Sequence, residues 1–199
     1  MGTKELRTRK TWQDYSGANA GNAEKSFYNV FSSEFEGTPL SIKPKPQDFK
    51  DIYVKIPLSE QELKEIYTPE NPITKHGIAP DYAIYNEETN KTLYVEVKRQ
   101  DGWVEGKARS AGRGNAHERS CKFFTPGLIK TLRERGNLGE NVLPFWTVFQ
   151  GDITRDPCRV REIACWYDTY KEHYFLWRDS KDPSPLVYHF NTHLKGLLF

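Results

Sequence analysis

No stretch of this sequence is apolar for more than a few residues. Spanning a bilayer as a helix takes about 20. The mean hydropathy is −0.77, so a membrane-embedded chain is not expected. The first residues, Met1 to Gln13, are charged and lack an apolar core, so no secretory signal is expected there either. Cysteine is scarce: Cys121, Cys158 and Cys165. Three cysteines without a signal segment do not make a disulfide framework. Nor do they fall with histidines at zinc-finger spacing. Free thiols in a reducing compartment are expected. Internal repeats, low-complexity tracts and Ser/Gly linkers are also missing. So is a large net charge of either sign: 29 Lys+Arg against 27 Asp+Glu leave +2. As an average, that figure argues against a polyanionic partner, but its distribution decides the matter.

The chain has 199 residues, which suits one domain, 1–199, with an N-terminal arm over 1–17. Aromatic residues make up 14%, too many for a chain disordered throughout. The charge is segregated. Lys98 to Arg135 carries +6 and the remainder −4. A solvated helix face would look the same in composition, as would a patch that contacts phosphate.

Ala23, Phe27, Val30, Phe31 and Phe35 recur at helical spacing and predict an amphipathic helix over Asn22–Phe35. Lys43–Lys50, with Pro44 and Pro46, reads as loop. Ser59 and Glu62 form a capping box ahead of a short helix through Tyr67. Asp81–Tyr85 and Thr92–Lys98 alternate apolar and polar residues around a polar turn, which predicts an antiparallel hairpin. Gly102–Gly114 reads as loop and Asn115–Phe124 as helix. Thr125-Pro126 fits the cap and first residue of another helix, running to about Arg133. Leu143–Gln150 reads as a buried strand, Pro157–Tyr170 as helix, Tyr174–Trp177 as strand and Leu186–Leu198 as helix. The mixture implies an α/β fold in two or three layers, with a central mixed sheet flanked by helices.

The hairpin carries candidate chemistry. Pro80-Asp81 precedes its first strand, and Glu96-Val97-Lys98 closes its second. Residues two apart on a strand share a face, so Glu96 and Lys98 project together. Asp81, at the start of the neighbouring strand, comes round to meet them. Two carboxylates and the Val97 carbonyl are hard oxygen donors suited to Mg²⁺. A metal so held can activate water and neutralise charge on a phosphate. Lys98 is a point charge suited to the attacking water or the pentavalent phosphorane. An ion pair on a solvated strand face would show the same letters. The basic segment that begins at Lys98 favours phosphate chemistry.

Further along, Gly112 to Lys122 reads Gly-Arg-Gly-Asn-Ala-His-Glu-Arg-Ser-Cys-Lys. Arg and Asn are the side chains that pair bidentately with guanine and adenine edges. Arg113, Asn115 and Arg119 lie at a predicted helix start. Gly112, Gly114 and Ala116 permit close backbone approach. Ordinary surface charge at a helix start remains the alternative.

The Gly114-Asn115-Ala116-x-Glu118-Arg119-Ser120-x-Lys122 run, following a Pro-Asp…Glu-x-Lys core, resembles the EcoRI-type PD-(D/E)xK restriction endonucleases. So do Lys98–Lys107, Phe124–Leu128 and Gly151–Pro157. The likeness extends from Tyr28 to Asn191 and is strongest from Glu96 to Pro157. It is similar to the branch of that family that cuts C^AATTG, leaving 5′-AATT overhangs. The resemblance implies a restriction-endonuclease-like fold and a Mg²⁺-dependent Type II homodimer acting on palindromic double-stranded DNA. It also implies a bacterial cytoplasmic setting and a cognate DNA methyltransferase as a separate chain. Carried over, the metal and catalytic positions fall on Asp81, Glu96 and Lys98. DNA-binding positions fall on Arg113, Gly114, Asn115, Ala116, Glu118, Arg119 and Lys122. Asn115 and Arg119 would read the central AATT and Arg113 the outer guanine, while Glu118 would orient neighbouring arginines. Phe123, Phe124, Leu128 and Ile129 suggest that the Asn115–Arg133 region lies near the dimer axis. Rival readings are a structure-specific or repair nuclease with the same core, or a DNA-binding module without catalysis.

Other residues carry weaker expectations. His189 and His193, four apart, lack the glutamate and third ligand of a zinc site. Trp146, Trp166 and Trp177 are expected in packing, while Trp103, in the charged loop beside the site, is a weaker candidate for DNA contact. His117 has no assigned role. Arg155, Arg159 and Arg161 are divided between phosphate contact and exposed ion pairs.

Overall fold

The alternation in the hairpin sets the frame of the molecule, seen in a computed structural model that describes residue 18 and residues 20–102, 104–106 and 117–199. Strand β2 (Tyr82–Asn86) pairs antiparallel with β3 (Thr92–Arg99), Tyr82 opposite Val95 and Ile84 opposite Leu93. Around this hairpin the described residues form a five-stranded mixed sheet. β1 (Leu40–Pro44) adds antiparallel to β2. β4 (Phe145–Gln150) and β5 (Tyr174–Trp177) add parallel on the other side, so spatial order follows chain order.

Because side chains alternate across a sheet, the two faces collect different cores. On one face α1 (residues 20–34) packs Ala23, Phe27 and Phe31 against Tyr82, Val95, Val97 and Trp146. The C-terminal segment covers the same face with Leu186, Phe190, Leu194 and Leu198. The rings interlock: Phe31 meets Trp146 edge-on at 5.8 Å and Phe190 at 5.2 Å. On the opposite face α3 (Pro126–Arg135) and α4 (Pro157–Tyr167) bring Leu128, Leu132, Ile163 and Tyr167 onto Tyr94, Phe145 and Phe149. Helices therefore flank both faces, which decides for three layers.

Local signals explain the helix starts. Ser59 and Glu62 form the expected reciprocal capping box on α2 (Glu60–Glu65). That helix buries none of its residues and ends two residues before Tyr67, where the chain turns extended ahead of Pro69. α3 starts with Pro126, and α4 with Pro157 behind an Asp156 cap whose Oδ1 accepts the Cys158 N–H at 3.0 Å. Thr125 caps α3 through its backbone only, since its hydroxyl donates to the Lys122 carbonyl at 2.8 Å.

Four expectations are corrected. Lys43–Lys50 is not all loop: Lys43 and Pro44 end the edge strand β1, where a missing N–H does no harm. The residues after His117 form a 3₁₀ helix, Glu118–Phe124, rather than α-helix. α4 stops at Tyr167, and Asp168–His173 continues as 3₁₀ turns with Asp168 at a φ of 35°. The C-terminal helix begins earlier, as α5 (Ser184–His189), then widens to a π turn at Phe190–Leu194 and tightens to 3₁₀ at Lys195–Leu198. These last residues reach the far end of the hairpin. The Leu198 carbonyl accepts Asn86 Nδ2 at 2.9 Å and Thr89 Oγ1 at 2.6 Å.

The predicted arm 1–17, most of the 102–114 loop, Trp103 and residues 113–116 lie outside the described residues. No helix among the described residues is long and apolar enough to cross a membrane. The cysteines are free.

Candidate active site

Antiparallel pairing puts Asp81, one step before Tyr82, beside Glu96, one step after Val95. The face is the one shared with Ala83 and Tyr94, toward α3 and α4. Asp81 is fixed by backbone: its Oδ2 accepts the Val97 N–H at 2.8 Å. Lys98 Nζ lies 2.5 Å from Glu96 Oε1 and 3.5 Å from Asp81 Oδ2. It also reaches the Val97 carbonyl at 3.5 Å. The three residues named from the sequence thus meet at one point, with Val97 supplying both of its backbone groups there.

Burial shapes the electrostatics. Glu96 is 4% exposed, and loss of water pushes its carboxyl above the usual range, against the pull of Lys98. Burial pulls the Lys98 ammonium down, but the Glu96 and Asp81 carboxylates outweigh it and leave it above its ordinary value. Lys98 is therefore held as a cation between two carboxylates. Glu96 Oε2 is buried and has no hydrogen-bond partner among the described residues. An acceptor so placed is costly unless something positive occupies it. Among the described residues no three His, Cys, Asp or Glu side chains converge as a metal cage. A site made of two carboxylates and a carbonyl suits Mg²⁺, which keeps several waters and takes one or two protein carboxylates.

Beneath Glu96 lie two groups that sequence reasoning missed. Thr147 pairs with it in the β3–β4 register, and the Tyr167 phenol comes in from α4 on the same face. Tyr167 is fully buried, and its hydroxyl is pushed far up by that burial. Neither residue has a motif signature; only the parallel pairing of β3 with β4, which sets Glu96 opposite Thr147, brings them in.

Of the proposed DNA-binding residues, Glu118, Arg119 and Lys122 are exposed on the 3₁₀ helix, and Lys122 is close enough to Glu96 to favour its charged form. Arg113, Gly114, Asn115 and Ala116 lie outside the described residues. His117 is fully buried. Arg159 pairs with Glu162, Arg161 approaches Glu105 at 3.9 Å, and Arg155 donates to the Arg178 carbonyl. Trp146 and Trp177 are core, while Trp166 stacks on His117. His189 contacts the Glu172 carbonyl at 2.7 Å, stacks on Trp146 and lies 5.0 Å from the His193 ring.

A mixed sheet whose central hairpin brings Asp81, Glu96 and Lys98 together defines the restriction-endonuclease-like class of phosphodiesterases. Within that class the chain belongs to the family described as Type II restriction enzyme MunI, whose model matches residues 1–199. It is 53% identical over 201 residues to the Type II restriction enzyme MunI of Mycoplasma sp, covering the whole of both chains. A crystal structure of MunI restriction endonuclease in complex with cognate DNA superposes with a TM-score of 0.80. That match covers 94% of this chain and 97% of the other, at 52% identity. The chain is thus a Type II restriction enzyme, as the sequence resemblance implied.

Proposed function

We propose that the chain, as a homodimer in the bacterial cytoplasm, cuts both strands of C^AATTG and leaves 5′-AATT overhangs. One observation carries the catalytic part: Lys98 bridges Asp81 and Glu96 at the mouth of the hairpin while one Glu96 oxygen is left buried and unpartnered among the described residues. Asp81, Glu96 and the Val97 carbonyl would hold Mg²⁺. Bound there, the ion supplies Lewis-acid neutralisation of charge on the scissile phosphate. Lys98 presents its ammonium to the attacking water and to the charge that develops on the phosphoryl oxygens. Asp81 is oriented by the Val97 N–H, and the shared cation keeps both carboxylates aimed at one point. Water exclusion by the Tyr94–Phe145 core strengthens each of these interactions.

The match at more than half identity over the full chain, to an enzyme crystallised in complex with cognate DNA, supports a specific DNA site as the substrate. A palindrome is read most simply by a two-fold dimer, each subunit cutting one strand within a single catalytic and DNA-recognition domain. Arg113, Gly114, Asn115, Ala116, Glu118, Arg119 and Lys122 form the DNA-binding set in this reading, with Asn115 and Arg119 on the central AATT and Arg113 on the outer guanine. The apolar residues that suggested a dimer axis in this region are taken up within the chain's own core, where Phe123 and Leu128 are buried and Phe124 and Ile129 pack against them, so the dimer reading rests on the palindrome alone. A separate cognate methyltransferase protects the host's own sites.

Digestion of DNA of known sequence with Mg²⁺, followed by sequencing of the ends, tests the proposal. AATT overhangs at every CAATTG and nowhere else are expected. Ends placed without regard to sequence overturn the specificity and favour a structure-specific nuclease. One 23.2 kDa chain per duplex in a sizing experiment with DNA bound overturns the dimer.

A further inference from the structure

His117 has no role in the chemistry above, yet it is one of the most completely buried polar residues of the chain. It opens the 3₁₀ helix that carries Glu118, Arg119 and Lys122. Its carbonyl accepts both the Ser120 N–H at 3.1 Å and the Ser120 hydroxyl at 2.6 Å, which fixes the first turn. Its ring joins three elements. Nδ1 lies 3.2 Å from Gln100 Oε1, at the end of β3. Nε2 lies 3.1 Å from Glu162 Oε2, on α4. The ring stacks on Trp166, one turn further along α4, at 5.3 Å and 18°.

Both partners are themselves pinned. Arg159 Nη1 holds Glu162 through both oxygens, at 2.9 and 2.6 Å, and comes within 4.0 Å of Glu118. The Gln100 backbone donates to the Gln150 carbonyl and accepts from the Ile153 N–H, both at 3.1 Å. The chain can turn this tightly because Gly151, at a φ of 85°, has no Cβ to meet the Gln100 carbonyl. Gln100 stands two residues after Lys98, on the same face of the strand.

We propose that His117 is a positioning residue for sequence discrimination, locking the DNA-facing turn Glu118–Lys122 to the catalytic strand. Recognition and cleavage are then held in register by one ring, and the base-reading side chains reach their targets only while β3 holds Lys98 in place. A rigid support of this kind matters because a site misplaced by about 1 Å loses rate steeply. The inference rests on the proposed DNA-binding role of Glu118 and Arg119 and adds the residue that aims them.

The test compares full-length wild type with His117→Leu, His117→Gln and Glu162→Ala. Each is assayed for kcat/KM on a CAATTG duplex and on duplexes changed at one symmetric pair of positions, and for melting temperature. Glu162 is about a third exposed, so its truncation leaves a folded protein even where His117→Leu does not. The expected result is that the cognate-to-variant ratio falls about tenfold in His117→Leu and Glu162→Ala, the scale of one bidentate base contact. His117→Gln, which still places an amide toward Glu162, recovers part of it. A support that is merely structural lowers activity on all duplexes alike, so an unchanged ratio overturns the proposal whatever the melting temperature. A wild-type enzyme that cuts all the duplexes equally is a different failure, one that removes the site assignment itself.

Discussion

The two faces of the sheet are built to different rules. On the α1 face, Phe27, Phe31, Trp146 and Phe190 interlock ring against ring. On the α4 face, the core of Phe123, Phe145 and Tyr167 is interrupted by Glu96, Lys98, His117 and the Arg159–Glu162 pair. One strand, β3, serves both: Val95 and Val97 feed the first face, Glu96 and Lys98 the second. Both faces hold a core of fully buried rings and aliphatic chains, so the buried charge of the second face, which costs free energy on its own account, is offset by the apolar packing around it.

Substitutions that separate the faces test this division. The largest effect is expected from Asp81→Ala or Glu96→Ala. Cleavage of plasmid DNA should fall by at least about 10³-fold, the order expected for losing a group that stabilises transition-state charge, while the melting temperature holds or rises. Wild-type turnover in either variant removes the metal-site assignment. Lys98→Ala should likewise lose cleavage and keep specific binding in a gel-shift assay.

Trp146→Ala should do the reverse, lowering stability by about 3–5 kcal/mol in denaturant titration with turnover per folded molecule unchanged. Loss of specific activity as well would mean the faces are not separable. Arg113→Ala or Arg119→Ala should cost about 1–3 kcal/mol of discrimination, read from a library of site variants, with no change in stability.

A pH scan gives a smaller effect. Burial holds His117, His173 and His189 below the ordinary histidine value. The unfolded chain then binds protons more readily than the folded one, so stability is complete above about pH 6.5 and declines as the pH falls toward the folded values. Melting temperatures that stay level from pH 7.5 to 5 contradict this. Ser59→Ala should be smallest, about 1 kcal/mol at α2 alone, seen as faster amide exchange there and little change in global melting, because that helix buries nothing.

The catalytic hairpin was legible because strict alternation at Thr92–Lys98 and the Glu-x-Lys spacing are local signals. The Ser59–Glu62 box was legible for the same reason, and the structure closes it from both sides. What could not be read depends on contacts distant in sequence. β1 escaped because Pro44 and Lys43 resemble loop, and only pairing with β2 makes them strand. The 3₁₀ form of Glu118–Phe124 follows from hydrogen bonds at His117 and Lys122 rather than from apolar spacing. The His117–Glu162 contact joins residues 45 apart, and nothing in either neighbourhood announces it. Thr147 and Tyr167 likewise come under Glu96 only through the parallel β3–β4 pairing.

The grip of Leu198 on Asn86 and Thr89 couples parts of the molecule 112 and 109 residues apart in the chain. The turn of the hairpin that carries Asp81, Glu96 and Lys98 is closed by its own bonds, with the Asn86 N–H donating to the Lys91 carbonyl and the Glu88 and Thr89 N–H groups donating to Asn86 Oδ1. The Leu198 carbonyl adds a second anchor, so a local opening of the C-terminal turns loosens that end of the hairpin while β2 and β3 stay paired.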